Sequence, residues 1–188
     1  MKKALYLALI AILTGFGMAS FYSCDDPAEE DTGAGGSIYG KYGSYTYSLQ
    51  GGTLTVGYVA SNNYFEKEDE VKRSKLPNII VEARGDMADV IIEGFVSDNE
   101  DHVMTNLTLA DMKLDAAGVI TFIPGLSTIT GSYTAYGKEM AADRVKLNGL
   151  KVSGNRIAIS EMRIFFGEGG ADCVRFMDIQ GATRSSNL

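Results

Sequence analysis

Residues 44–58 read SYTYSLQGGTLTVGY. Tyr45, Tyr47 and Leu49 alternate with Ser44, Thr46 and Ser48, and Leu54, Val56 and Tyr58 alternate again beyond Gln50-Gly51-Gly52. Successive side chains of a strand point to opposite faces, so this period of two marks half-buried strands. Two such runs about a Gly-Gly pair read as a β-hairpin that turns at Gln50-Gly51-Gly52.

The same texture continues along the chain. Further strands are expected over Asn78–Ala83, Val90–Val96, Leu107–Leu114, Val119–Ile123, Ile129–Tyr136, Arg144–Val152, Arg156–Phe166 and Cys173–Ile179. Turn chemistry separates most of them, as at Arg84-Gly85-Asp86, Pro124-Gly125 and Ser153-Gly154-Asn155. Asn148-Gly149 has the composition of a hairpin turn, but Gly154-Asn155 follows too soon, so it reads as a bulge. Short strands at this spacing predict an all-β domain, either an antiparallel up-and-down barrel of about eight to ten strands or a β-sandwich.

Two strands change the parity of their apolar residues partway along. Leu107 and Leu109 give way to Met112 and Leu114, and Ile157 and Ile159 give way to Met162, Ile164 and Phe166. Such a switch requires a bulge or a change of packing environment, which favours a strongly curved sheet. Tyr64–Leu76 (YFEKEDEVKRSKL) breaks the pattern. Glu68 with Lys72 and Asp69 with Arg73 pair at helical spacing, so a short helix or a charged surface loop is expected, ending at Pro77.

The first residues form an address. Lys2 and Lys3 precede an uncharged apolar run, Ala4–Met18, that is shorter than the ~20 residues needed to span a bilayer. Small and aromatic residues then lead to Ser23-Cys24. A basic head, a short apolar run and a small residue before a cleavage point describe a secretory signal peptide over residues 1–23. The Cys directly after it makes Cys24 the candidate lipid-attachment residue. Residues 24–36, with Asp25-Asp26-Pro27-Ala28-Glu29-Glu30-Asp31 at their head, read as an acidic flexible tether. Residues 37–188 then make one domain.

Removal of residues 1–23 takes away two lysines and no acid, which leaves 15 basic against 24 acidic residues and a net charge of −9. That charge is a poor footprint for nucleic acid. Cys173 would be the remaining thiol, with no partner for an internal disulfide, and reads as a small buried hydrophobe. His102 is the sole histidine, lies in the polar stretch Asp98–His102, and reads as a surface residue. One histidine and one cysteine do not make a zinc site. No P-loop, HExxH or GxSxG motif is present. No metal or cofactor is therefore expected, and a non-catalytic role is favoured over a small hydrolase.

Tyrosine is the enrichment with binding content. Tyr45 and Tyr47 recur in the echo of GSYTY by Gly131-Ser132-Tyr133-Thr134-Ala135-Tyr136. A phenol ring has an apolar face and a polar tip, suited to interfaces and to sugar stacking. Tyr45, Tyr47, Tyr133 and Tyr136 are therefore candidate ligand or partner contacts.

Taken with the lipoprotein signal, three segments resemble the calycin-like β-barrel lipoproteins of Bacteroidota: GKYGSYTYSLQGGTLTVGYV at Gly40–Val59, LTLADMKLDAAGVITF at Leu107–Phe122 and GNRIAISEMRIFF at Gly154–Phe166. The relaxed signal, with Phe21 three residues before Cys24, and the acidic tract after Cys24 also resemble surface-exported lipoproteins of that group. The resemblance implies a lipocalin-like barrel, held at the outer membrane by lipid on Cys24 and exposed at the cell surface. It implies a barrel that holds a small apolar ligand, with no catalytic residues to carry over; the expectation is then a monomeric, non-catalytic binding protein for a small lipophilic molecule or a glycan fragment. The rival expectation is an interaction module that docks an envelope protein through a Tyr-rich face or a sheet edge.

Overall fold

A computed structural model describes residues 42–60 and 64–183. The signal segment, Cys24, the tether and the start of the domain at 37–41 lie outside the described residues. The described residues form thirteen strands: β1 (Tyr42–Val59), β2 (Phe65–Glu70), β3 (Asn78–Arg84), β4 (Met87–Ile92), β5 (Phe95–Val96), β6 (His102–Met104), β7 (Leu107–Leu114), β8 (Ile120–Thr121), β9 (Thr128–Thr130), β10 (Ser132–Ala135), β11 (Lys138–Ser153), β12 (Arg156–Phe166) and β13 (Asp172–Thr183). One 3₁₀ turn, Arg73–Lys75, lies between β2 and β3.

All strand pairings are antiparallel and belong to one strongly curled, barrel-like sheet. β1 pairs β3, β3 pairs β4 and β4 pairs β7. β9 lies on β7, and one residue later, past Gly131, its continuation β10 lies on β11. β11, β12 and β13 then return the sheet to β1. With β9–β10 taken as one bent strand, the pairing visits eight positions and comes back to its start. The antiparallel barrel expectation holds, and two separate sheets facing each other are not formed.

Eight-stranded barrels have an interior just wide enough for side chains to fill. Tyr47, Leu54, Ile79, Tyr133, Phe166 and Phe176 are among the largest side chains with no exposure, and they belong to one contiguous core. Each such burial contributes about 1.5–3 kcal/mol.

β1 corrects the opening expectation. It runs unbroken through Gln50-Gly51-Gly52, which is a bulge opposite β13 and not a hairpin turn. The register of β1 on β13 shifts between Leu49 and Gly51 and again between Gly51 and Thr53. Gly52 there has φ +90°, and a β-carbon on it would stand 2.6 Å from the carbonyl oxygens of Met177 and Asp178. The distortion continues across the sheet, with Asp178 on β13 at φ +50° and Gly149 on β11 at φ +67°. Inward parity changes on all four strands at this line: Tyr47 to Leu54, Phe176 to Ile179, Ile159 to Met162 and Leu147 to Leu150. The expected switch in β12 is thus one part of a transverse kink. Asn148-Gly149 does not turn the chain, as expected. The second expected switch, in β7, falls at Asp111, where φ is +54° and the register on β4 shifts.

The charged segment is also corrected. Phe65–Glu70 is strand β2, which takes over from β3 as the neighbour of β1 along Thr55–Val59. Five successive charged side chains (Glu66, Lys67, Glu68, Asp69, Glu70), four of them acidic, protect this edge strand from further pairing. At the same end of the barrel β5 and β6 extend the sheet beyond β10.

Candidate functional site

β2 and the β5–β6 unit meet at a seam without a regular ladder. The Asp98 N–H donates to the Glu70 carbonyl at 3.2 Å, the Asn99 N–H to Asp69 Oδ2 at 3.0 Å, and the Lys72 N–H to Asp98 Oδ1 at 3.2 Å. Within the turn the Asp101 N–H donates to Asn99 Oδ1 at 3.0 Å, and the Ser97 N–H to the His102 carbonyl at 2.9 Å. Burial opposes ionisation of Asp69, but the N–H groups of Asn99 and Glu70, the Ser97 hydroxyl and His102 outweigh it and hold the carboxyl below its ordinary range.

This turn delivers His102 to the interior. His102 pairs with Ala135 at the start of β6 and has no exposure, so the expectation of a surface histidine is overturned. The polar stretch before it is the surface turn, whereas His102 and Met104 take the inward positions of β6 around outward Val103.

Nδ1 of His102 lies 2.6 Å from the hydroxyl oxygen of Tyr133 on β10. Burial, aided by Asp172 and Glu68, pushes the Tyr133 phenol well above its ordinary range, so it keeps its proton. A protonated phenol can donate to Nδ1 or accept from it; the Glu68 carboxylate facing Nε2 favours the tautomer with the ring proton on Nε2, in which the phenol donates and Nδ1 accepts. Nε2 is buried and is the one buried side-chain polar atom without a hydrogen-bond partner among the described residues. Its nearest charge is Glu68 Oε2 on β2 at 3.9 Å, beyond hydrogen-bond length.

Tyr136 completes the group. The two-residue turn between β10 and β11 consists of Tyr136 and Gly137, both at positive φ as a tight hairpin requires. The turn leaves Tyr136 63% exposed, with its ring edge-to-face on His102 at 5.0 Å and its hydroxyl 3.5 Å from Glu68 Oε1. Phe166 backs Tyr133 at 5.0 Å.

The four tyrosines singled out in the sequence do not share one face. Tyr133 and Tyr136 come together with His102 and Glu68. Tyr47 is fully buried toward the opposite end, with its hydroxyl donating to the Gly154 carbonyl at 3.4 Å, and Tyr45 is half-buried against the core. Glu68 and His102 were missed as site residues. Alternation in His102-Val103-Met104 was the available signal for His102; nothing local marked Glu68.

A second polar cluster lies on the outside of β11–β13. Glu161 accepts from Arg163 Nε and Arg175 Nε, each at 2.8 Å, and the Arg144 guanidinium lies 4.5 Å from the centre of the Phe165 ring. These groups satisfy one another, so the cluster reads as structural. Among the described residues, no group of three or more His, Cys, Asp or Glu side chains is placed to hold a metal ion.

Fold and site together define an all-β, barrel-like protein with a polar, aromatic seam at one end. No protein-family model matches the chain, and no curated protein or solved structure matches it.

Proposed function

We propose that this chain is a lipid-anchored, non-catalytic binding protein, acylated at Cys24 and exposed at the surface of the outer membrane. Its kind is that of the calycin-like Bacteroidota lipoproteins it resembles. It takes its ligand at the barrel end that carries His102, not through the interior. The observation that carries this reading is the unpartnered Nε2 of His102, facing Glu68 beside an exposed Tyr136. A buried donor without an acceptor costs about 1–3 kcal/mol, and a native fold retains such a group where something else satisfies it.

Two further features support the reading. Large side chains fill the interior, so an internal lipophile would have to displace core residues such as Phe176 and Leu54. The register also places Tyr42, where the chain enters β1, at the end opposite His102. The chain that leads from Cys24 therefore joins β1 at the end away from His102. Docking through the β2 edge is disfavoured by its charges.

Palmitate incorporation, compared between wild type and Cys24→Ala, tests the anchor; label retained in the variant would contradict it. Protease shaving of intact cells tests exposure. The ligand site is tested by NMR with a panel of lipids and sugars. Ligands should perturb His102 and Tyr136, and perturbation centred on Phe176 and Leu54 would return the site to the interior.

A further inference from the structure

Resting on that reading, we propose that the gap between His102 Nε2 and Glu68 receives a neutral hydroxyl group, and that the ligand is a saccharide or similar polyol.

The chemistry of the gap selects the group. Nε2 presents an N–H and needs an acceptor, whereas Glu68 presents a carboxylate and needs a donor. The two stand 3.9 Å apart, too far to satisfy each other and near enough for one oxygen atom to contact both. An anionic ligand accepts from Nε2 but meets the Glu68 carboxylate, in a seam that also carries Asp69 and Asp101, where like charge is costly. An ammonium group suits those carboxylates but offers Nε2 no acceptor. A hydroxyl does both, accepting from the imidazole and donating to the carboxylate.

The surroundings extend the match from a hydroxyl to a sugar. Tyr136 stands at the mouth with most of its surface open, and a phenol face is a platform for the C–H face of a pyranose. The Glu68 side chain is 27% exposed, so the gap has an approach from solvent beside it. Tyr133, held behind the imidazole, offers Nδ1 a donor in the tautomer that directs Nε2–H at the gap.

The chain holds one histidine, so protein grown with 15N-labelled histidine gives a single imidazole to follow. The titration is run in mildly alkaline buffer. Glucose, N-acetylglucosamine and inositol are the neutral probes; acetate, phosphate, methylammonium and laurate are the others. A neutral probe should shift the Nε2 resonance saturably at millimolar concentration. Glu68→Ala should weaken that binding by about tenfold or more, the value of a charge-assisted hydrogen bond. Tyr136→Ala should weaken it several-fold through loss of the platform. Both side chains reach solvent, and an unchanged melting temperature verifies that the variants are folded.

A response of His102 to laurate or an anion, and to no sugar, overturns the polyol assignment and leaves the binding end in place. Sugar binding that moves other resonances and not His102 overturns the site itself. An imidazole unmoved by every probe reduces the gap to a place for bound water and overturns both.

Discussion

The Tyr133 hydroxyl lies 2.6 Å from His102 Nδ1, and neither residue has any exposure to solvent. Tyr133→Phe would leave both imidazole nitrogens buried and unpaired. The expected cost is about 1–3 kcal/mol, the desolvation of a stranded polar group. In a thermal melt each kcal/mol lowers Tm by roughly 2–8 °C. The double variant Tyr133→Phe with His102→Leu should recover part of that loss, because no polar group is stranded. A double variant that melts no higher than Tyr133→Phe alone would contradict the hydrogen bond's role.

Burial raises the phenols of both Tyr47 and Tyr133 above their ordinary range. A group whose folded pKa is raised supports the fold fully below its unfolded value and loses that support as pH rises beyond it. The unfolded value for tyrosine is near 10, so stability should fall from about pH 10 upward. Denaturant midpoints measured from neutral to alkaline pH read this directly. Tyr47→Phe should flatten the slope, and a wild-type midpoint constant past pH 11 would refute the account.

Asp69 has the opposite sign. Its carboxyl is held below the ordinary range, although burial alone would raise it, because the seam's N–H groups and His102 favour the charge. Support from a depressed carboxyl is present above its unfolded value, near 4, and is lost as pH falls through the folded value. Hydrogen exchange of residues 65–70 and 97–101 should therefore accelerate on acidification before exchange in β12 does. Asp69→Asn should remove much of that dependence. Equal acceleration in β12 and β2 would show that the seam has no acid sensitivity of its own.

Most of the barrel was legible because side-chain alternation reports a face, and one face is buried. Leu107–Leu114 and Arg156–Phe166 appear with the bounds their patterns predicted. The turn at Gln50-Gly51-Gly52 misled because local chemistry does not distinguish a hairpin from a bulge. The partner decides, and here it is β13, more than a hundred residues away in the chain. β2 was hidden for a related reason. It has no alternation between polar and apolar residues, only a run of charges from Glu66 to Glu70, so Glu68-Lys72 spacing suggested a helix. The candidate site was only half legible. Tyr133 and Tyr136 stood out by composition, but the pairing that buries His102 and brings Glu68 to it is tertiary.

The transverse kink offers the sharpest test of backbone geometry. Gly52 and Gly125 both have φ in the left-handed region, +90° and +83°. An alanine at either pays the same backbone cost, about 1–2 kcal/mol. Their surroundings differ completely. Around Gly125 nothing lies within 4 Å of the added β-carbon, so Gly125→Ala should show that backbone cost alone. At Gly52 the β-carbon meets the carbonyl oxygens of Met177 and Asp178 at 2.6 Å and the Ile179 Cα at 2.7 Å. These are backbone atoms of β13 and have no rotamer by which to retreat. Gly52→Ala should therefore destabilise clearly more than Gly125→Ala, with β1 and β13 separating at the bulge. Gly149→Ala should fall between them, since its obstacle is the Ser160 side chain, with Oγ at 2.5 Å. Adding Ser160→Gly should then return part of the stability, as no partner substitution could at Gly52. Equal losses at Gly52 and Gly125 in denaturant unfolding would mean that β1 passes β13 less closely at Gly52 than these distances require.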